Sequence, residues 1–111
     1  MPHCLLEYSK PDQKKFNISD LLNTLHRAVS DYGLFQPGDV KSRAIGYDDF
    51  LVGTAQNGNF IHITVMILTG RSKETMNALS RHILQIIKDA VPDVISLTVE
   101  VREMEREAYS K

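Results

Sequence analysis

Hydrophobic residues in the first half of the chain take a strand-like spacing, then a helical one, then a strand-like one again. His3 to Tyr8 is a short mixed run that predicts a strand. The next apolar residues recur three or four positions apart, which predicts a helix with one apolar face: Ile18, Leu21, Leu22, Leu25 and Val29. Asn17 or Ser19 can cap the start of this helix, and Gly33 can end it in a left-handed conformation. A second strand is predicted from about Val40 to Tyr47.

The second half repeats this order with stronger signals. Phe60 to Leu68 is almost wholly apolar and rich in β-branched residues, which predicts a central strand covered on both faces. Ser72 caps a predicted helix that continues to about Ala90 and stops at Pro92. Its apolar stripe consists of Met76, Leu79, Ile83, Ile86 and Ile87. Leu97 to Glu103 alternates between apolar and polar residues, as a half-buried strand does.

The two halves match each other at a constant offset of 54 positions. At this offset Leu25, Arg27 and Val29 align with Leu79, Arg81 and Ile83, and Asp39, Val40 and Ser42 align with Asp93, Val94 and Ser96. We therefore predict a single domain over residues 1–111, with internal repeats at about 2–56 and 60–104. Each repeat is a β-α-β unit with a right-handed crossover. The predicted fold is α+β: two β-α-β repeats form one mixed sheet, with both helices on one face.

One face of such a sheet has no cover within the chain. Apolar residues on that face need a second subunit to bury them, so we expect an oligomer.

The segment between the repeats carries a turn signal. Phe50 to Gln56 leads into the central strand through Asn57-Gly58, a dipeptide typical of tight hairpins. We expect a hairpin here.

Charge and composition exclude several classes of protein. The net charge is -1 and the basic residues are scattered among acidic ones, which argues against a nucleic-acid partner. No apolar run approaches the roughly 20 residues that span a membrane, and the first dozen residues lack the pattern of a signal peptide. Cys4 is the only cysteine, so it cannot form an intrachain disulfide, and we interpret it as a small core residue. Together these features predict a cytoplasmic protein.

Pro2 is the first candidate for chemistry. Removal of Met1 would expose a secondary amine on a rigid ring, held at the start of a strand. An α-amino group has an ordinary pKa of about 7.7–8.0, and an apolar pocket beside cations lowers it. Such an amine is a base near neutral pH. The alternative is an ordinary exposed Met-Pro start.

Three cations are candidates for binding an anionic substrate. Arg71 lies in the turn Gly70-Arg71-Ser72, where a guanidinium can hold a carboxylate in a bidentate fashion beside a helix start. The alternative is a surface arginine paired with Glu74. Lys41 and Arg43 alternate on one predicted strand and so share a face, which suits a dianionic substrate. The alternative there is a solvated edge strand with basic residues that block aggregation.

Metal and nucleophile sites are not predicted. No histidine pair has the spacing of metal ligands, and one cysteine cannot complete a zinc site. His62 lies inside an apolar strand and is interpreted as a satisfied core histidine. The charged run from Glu103 to Lys111 is interpreted as an exposed tail or a final helical turn.

Four segments, taken in order, resemble a known family. They are the start Met-Pro-His, Phe35 to Arg43, Phe60-Ile-His-Ile-Thr, and Gly70-Arg71-Ser72. Together they resemble 5-carboxymethyl-2-hydroxymuconate isomerase, of the tautomerase superfamily, from Pro2 to about Met104. The second repeat is also similar to the shorter 4-oxalocrotonate tautomerase.

The resemblance implies a β-α-β repeat fold, a homotrimer and a proline base in each site. It implies ketonisation of a carboxylated dienol without a cofactor, with Arg71 and Lys41 holding the substrate carboxylates. Lys41 departs from the arginine expected at its position, so the choice between Lys41 and Arg43 stays open. Phe35, Tyr47 and Phe50 are the candidates for an apolar wall beside the proline.

Two other functions are also compatible with the sequence. One is a phenylpyruvate-type keto-enol tautomerase, which would use Pro2 with a single carboxylate anchor. The other is a non-catalytic ligand-binding module, in which Pro2 has no chemical role.

Overall fold

The computed structural model describes residues 1–11 and 16–111. The strands are β1 (His3–Ser9), β2 (Lys41–Tyr47), β3 (Phe60–Leu68) and β4 (Ser96–Met104), and the helices are α1 (Ile18–Ser30) and α2 (Lys73–Ala90). Short 3-10 helices cover Pro37–Asp39 and Arg106–Ala108. Among these residues, no helix has the length and apolar character that crossing a membrane requires.

The four strands form one mixed sheet in the order β2-β1-β3-β4. β1 pairs with β2 in parallel, β3 pairs with β4 in parallel, and β1 and β3 are antiparallel at the centre. The two helices contact each other, and their buried residues join those of the strands in one core. The predicted α+β fold, with two β-α-β units and both helices on one face, is confirmed.

Each parallel pair begins with the same backbone hydrogen bond. The amide of Lys41 donates to the carbonyl of Pro2 at 3.0 Å, and the amide of Ser96 donates to the carbonyl of Asn59 at 3.2 Å. The side-chain oxygen of Asn59 also accepts from the amide of Ile95 at 2.6 Å. Asn59, a residue in the interior of the chain, therefore has the same place before β3 as Pro2 has before β1.

Local signals set the helix boundaries. The Asn17 side chain accepts from the amide of Asp20 at 3.1 Å, so Asn17 rather than Ser19 caps α1. Ser72 caps α2 as predicted. The prediction that Gly33 ends α1 is wrong, because the amide of Asp31 already closes the helix on the carbonyl of Arg27 at 2.8 Å. Gly33 takes its left-handed φ of 95° in the turn that follows.

Strand alternation separates a core face from an open face of the sheet. The residues directed at the helices are almost fully buried, and they include Leu6 on β1 and Ile63 on β3. Cys4 belongs to this core, as predicted, and burial raises the pKa of its thiol to about 11. The opposite side is called the open face below. Among the residues that the structure describes, no helix or strand packs over it, so the expectation that β3 is covered on both faces does not hold for a single subunit.

His62 lies on the open face and not in the core. Its Nδ1 is 2.6 Å from the hydroxyl of Thr98, and its Nε2 is 3.8 Å from a carboxylate oxygen of Glu100. The interpretation as a core histidine is wrong because position 62 has the opposite alternation phase to Ile61 and Ile63, which point at the helices.

The predicted hairpin at Asn57-Gly58 is not formed. β3 is hydrogen-bonded to β1 on one side and to β4 on the other, so no side of β3 is left for a hairpin partner. Residues 50–56 instead hold one isolated bridge between Val52 and Ala55. Gly58 packs on this small loop so closely that a Cβ there would lie 2.7 Å from the Cβ of Val52.

Candidate active site

Strand directions bring the candidate residues to one edge of the sheet. β1 and β2 both start at this edge, and β3 ends there, because His3 is paired with Lys41 on one side and Met66 on the other. Pro2 precedes β1, and Arg71 follows β3 by three residues. Residues that are distant in the sequence are therefore neighbours around Pro2.

Pro2 is fixed and buried at this edge. Its ring is less than 2 % exposed, and its carbonyl is held by the amide of Lys41. A residue held by the sheet ladder and by packing has a defined position, which a base requires.

The amine next to Pro2 is affected by burial and by both acidic and basic side chains. Burial lowers the pKa of the N-terminal ammonium, carried here by Met1, below its ordinary value of 8.0. Asp39 opposes this shift, whereas Lys111, Lys41 and Arg106 add to it by charge repulsion. An amine at this edge therefore loses its proton at a lower pH than an ordinary chain terminus does.

Arg71 is held by the loop that precedes β2. Its Nη2 donates to the carbonyl of Leu34 at 2.8 Å, and its guanidinium carbon lies 5.7 Å from the centre of the Phe35 ring. Its side chain is exposed. A guanidinium has five N–H donors, so this bond leaves others for a carboxylate.

Lys41 and Arg43 share the open face but differ in what they bind. Lys41 is exposed, and its Nζ donates to the carbonyl of Asp39 at 3.2 Å. Arg43 donates from Nη1 to Nδ1 of His3 at 3.1 Å. Lys41 is thus the cation beside the N-terminal amine, and Arg43 is engaged with a neighbouring side chain.

His3 connects Arg43 to the residues that follow β4. Because a guanidinium only donates, Nδ1 of His3 must accept, and the ring proton of the neutral form is assigned to Nε2. Nε2 then donates to the hydroxyl of Tyr109 at 2.9 Å. Burial lowers the pKa of His3 below 6.5, and Arg43, Lys41 and the N-terminal ammonium lower it further.

We expect the His3 ring to titrate below pH 6.5, and the substitution Arg43→Gln to raise its pKa. Only part of the shift should be reversed, because burial is its largest cause. Since the pKa is lowered in the folded protein, the neutral ring stabilises the fold above pH 6.5, and this contribution is lost as the pH falls. NMR titration of the His3 ring measures both values. An unchanged pKa in the Arg43→Gln protein would contradict the contact.

The three candidates for an apolar wall do not lie together. Phe35 contacts Arg71 at the Pro2 edge. Tyr47 and Phe50 lie at the far end of β2, about 20 Å along the strand at about 3.3 Å per residue. There they line a cleft of about 490 Å³ together with Phe60. Within one chain, only Phe35 is close to the candidate site.

Arg106, Tyr109 and Lys111 lie near the Pro2 edge but were not predicted as site residues. The run from Glu103 onward does contain a short helical turn, Arg106–Ala108, but it returns to the Pro2 edge. A signal was available, because β4 is parallel to β3 and must end at the same edge. Among residues 1–11 and 16–111, no group of three His, Cys, Asp or Glu side chains is placed to hold a metal ion.

Several solved structures share this architecture. A 5-carboxymethyl-2-hydroxymuconate isomerase from Deinococcus radiodurans R1 is 22% identical, with 99% of this chain and 87% of that chain covered and a TM-score of 0.83. A 5-carboxymethyl-2-hydroxymuconate delta-isomerase is 15% identical over 100% of this chain and 87% of that one, at a TM-score of 0.84. A fused 4-OT wild-type symmetric trimer is 18% identical over 98% and 90%, at a TM-score of 0.78. The search of curated proteins found no match.

The four-stranded mixed sheet with two helices is therefore a tautomerase fold. The family model of 5-carboxymethyl-2-hydroxymuconate isomerase matches residues 2–111. The chain therefore belongs to the 5-carboxymethyl-2-hydroxymuconate isomerase family, and it is an isomerase.

Proposed function

We propose that this isomerase ketonises a carboxylated 2-hydroxydienoate, of the 5-carboxymethyl-2-hydroxymuconate type, with the Pro2 nitrogen as acid and base. The observation that carries the proposal is the position of Pro2, buried and held at a sheet edge beside Lys41 and Arg106. Removal of Met1 frees the nitrogen. The freed nitrogen is one residue along the chain from the Met1 amine, on which these cations act.

The reaction needs only a proton transfer through the substrate's own conjugated system. The neutral Pro2 nitrogen takes the proton of the 2-hydroxyl group, and the oxygen lone pair becomes the new carbonyl π bond. The electrons of the diene shift along the chain, and the ammonium of Pro2 returns the proton to a distant carbon. No electrons enter or leave the substrate, so the step requires no redox cofactor.

Cations around the amine have two roles in this reaction. They add to the effect of burial, against the opposing charge of Asp39, in lowering the pKa of the amine and so favour its neutral form. They also stabilise the dienolate charge that develops during transfer. Lys41 and Arg71 are proposed to bind substrate carboxylates, and Arg43 is proposed to act on the site through His3, since its Nη1 is engaged there.

The N-terminal processing and the substrate preference test this proposal directly. Mass spectrometry of the native protein should show a chain that begins at Pro2. The processed protein should convert 2-hydroxymuconate faster than phenylpyruvate, because the site offers more than one carboxylate anchor. Preference for phenylpyruvate would favour the single-anchor tautomerase, and retention of Met1 would favour a non-catalytic module.

Arg71→Ala should raise KM and lower kcat/KM on a dicarboxylate by about 10-fold or more, since a hydrogen bond to a charged group contributes about 1.5–3 kcal/mol. Arg71→Lys keeps the charge without the bidentate geometry, so we expect an intermediate value. Steady-state kinetics on 2-hydroxymuconate measure both. Unchanged kcat and KM in Arg71→Ala would reject the role of Arg71.

We also propose that the chain assembles as a homotrimer through the open face. Ile45 on this face is 48% exposed in the single chain, and Leu51 beyond β2 is 97% exposed. Burying such residues against other copies is favourable. The symmetric trimer among the structural neighbours supports three copies. Sedimentation of the protein at micromolar concentration should give a trimer, and a monomer would refute the assembly.

A further inference from the structure

The residues after β4 fold back over the Pro2 edge and are held there at two points. We call residues 105–111 the closing segment. Arg106 donates from Nη2 to the carbonyl of Thr69 at 2.9 Å, and the amide of Thr69 donates to the carbonyl of Met104 at 3.1 Å. Five residues after Met104 comes the second point, where the Tyr109 hydroxyl accepts from His3 at 2.9 Å, with the two rings 5.9 Å apart in an edge-on arrangement.

The guanidinium of Arg106 lies close to Gly70, the residue that precedes Arg71. A Cβ added at Gly70 would lie 3.7 Å from Nη2 of Arg106, so this guanidinium packs against the backbone that leads into Arg71. Gly70 has a φ of 126°, a conformation that favours glycine. Arg106 is exposed, and its bond to Thr69 uses one of five N–H donors. A second guanidinium at the proposed carboxylate site is therefore free to bind an anion.

Tyr109 occupies the end of a chain of three side chains from three different elements. Arg43 of β2 donates to His3 of β1, and His3 donates to Tyr109 of the closing segment. Tyr109 is half-buried, whereas Arg106 and Lys111 are exposed. The hydroxyl of Tyr109 thus anchors the closing segment, whereas its charged side chains are exposed to solvent.

We propose that Arg106 is a further substrate-binding residue of the Pro2 site, and that Tyr109 is a positioning residue that holds the closing segment in place through His3. This inference rests on the proposed function and extends it. Arg106 would donate to a carboxylate of the bound substrate with the N–H groups that Thr69 leaves unused. Its charge acts on the N-terminal amine as well, in the same direction as that of Lys41.

Ligand binding without turnover tests the role of Arg106. The probe is cis,cis-muconate, a dicarboxylate with a diene but no hydroxyl to deprotonate, titrated calorimetrically into the processed protein. We expect Arg106→Gln to weaken binding about 10-fold, with partial recovery in Arg106→Lys. Arg81→Gln removes the same charge from the exposed side of α2, and it should leave the affinity unchanged.

Amide exchange tests the role of Tyr109. Tyr109→Phe keeps the ring and removes the hydroxyl, so exchange of residues 105–111 should become faster, and KM should rise while kcat changes little. Tyr32→Phe is the matched control, because Tyr32 packs its ring on His82 on the helix side of the molecule. Unchanged exchange and KM in Tyr109→Phe would overturn the positioning role.

The outcomes separate this inference from the proposed function. A wild-type protein that binds muconate through Arg106 but turns over no dienol would reject the function and keep the binding site. Equal affinity of Arg106→Gln and wild type, or no binding of muconate to either, would overturn the role of Arg106.

Discussion

Pro2→Ala should lower kcat/KM on 2-hydroxymuconate by about 100-fold or more, within the roughly 10²–10⁴-fold that a positioned acid or base contributes. Alanine also allows removal of Met1, so the variant still begins with an amine at the same place. That amine is primary and lacks the ring that packs at less than 2 % exposure in the sheet edge. The loss should appear in kcat, since the cations that are proposed to bind the substrate are unchanged.

Two controls make the Pro2 result specific. Pro92→Ala changes the same residue type in the turn after α2, and its kcat/KM should stay close to that of the wild type. Mass spectrometry must show that Met1 has been removed from each variant. A fully processed Pro2→Ala protein with undiminished activity on every tested dienol would refute the catalytic role of Pro2.

Ile63→Ala should lower the free energy of unfolding by about 2–5 kcal/mol, the usual cost of removing a large aliphatic side chain from a packed core. Ile63 is 0% exposed and stands at the centre of β3, paired with Leu6 of β1 and Val99 of β4. The cavity would open where the two β-α-β units meet, so both units should lose stability together.

Urea denaturation at one fixed protein concentration measures this effect, because assembly makes the stability of an oligomer depend on concentration. Ile95→Ala is the matched control. Ile95 is 60% exposed, and surface substitutions of this kind usually change stability by less than about 0.5 kcal/mol. Equal losses in the two variants would contradict the packing of β3.

The elements that the sequence predicts well are those whose local pattern and tertiary role agree. β3 has the predicted bounds, Phe60–Leu68, because a run of β-branched residues suits a central strand. Ser72 caps α2 for a reason internal to the helix start. The predictions from Gly33 and from Asn57-Gly58 were wrong. Each of these sequences favours a turn, but whether the turn ends a helix or forms a hairpin depends on the hydrogen bonds that neighbouring residues already make.

The candidate site was predictable only in part, for a similar reason. Pro2, Lys41 and Arg71 stand next to strand ends that a β-α-β repeat brings to one edge. His3, Arg106 and Tyr109 carry no local signal, since their roles arise from contacts between positions up to 106 residues apart. The parallel pairing of β3 and β4 was the one clue to them.

The chain has two β-α-β units, and Asn59 at the start of β3 corresponds to Pro2 at the start of β1. It starts β3 with the same backbone bond that Pro2 makes at the start of β1, but its nitrogen is an amide within a continuous chain. An amide nitrogen is neither basic nor nucleophilic. Because the two units are joined into one chain, the start of β3 cannot supply the base that Pro2 is proposed to supply at the start of β1. If Pro2 is the base, as proposed, a reagent that alkylates its amine should therefore reach a stoichiometry of one label per chain, or three per proposed trimer, however similar the two halves are in shape.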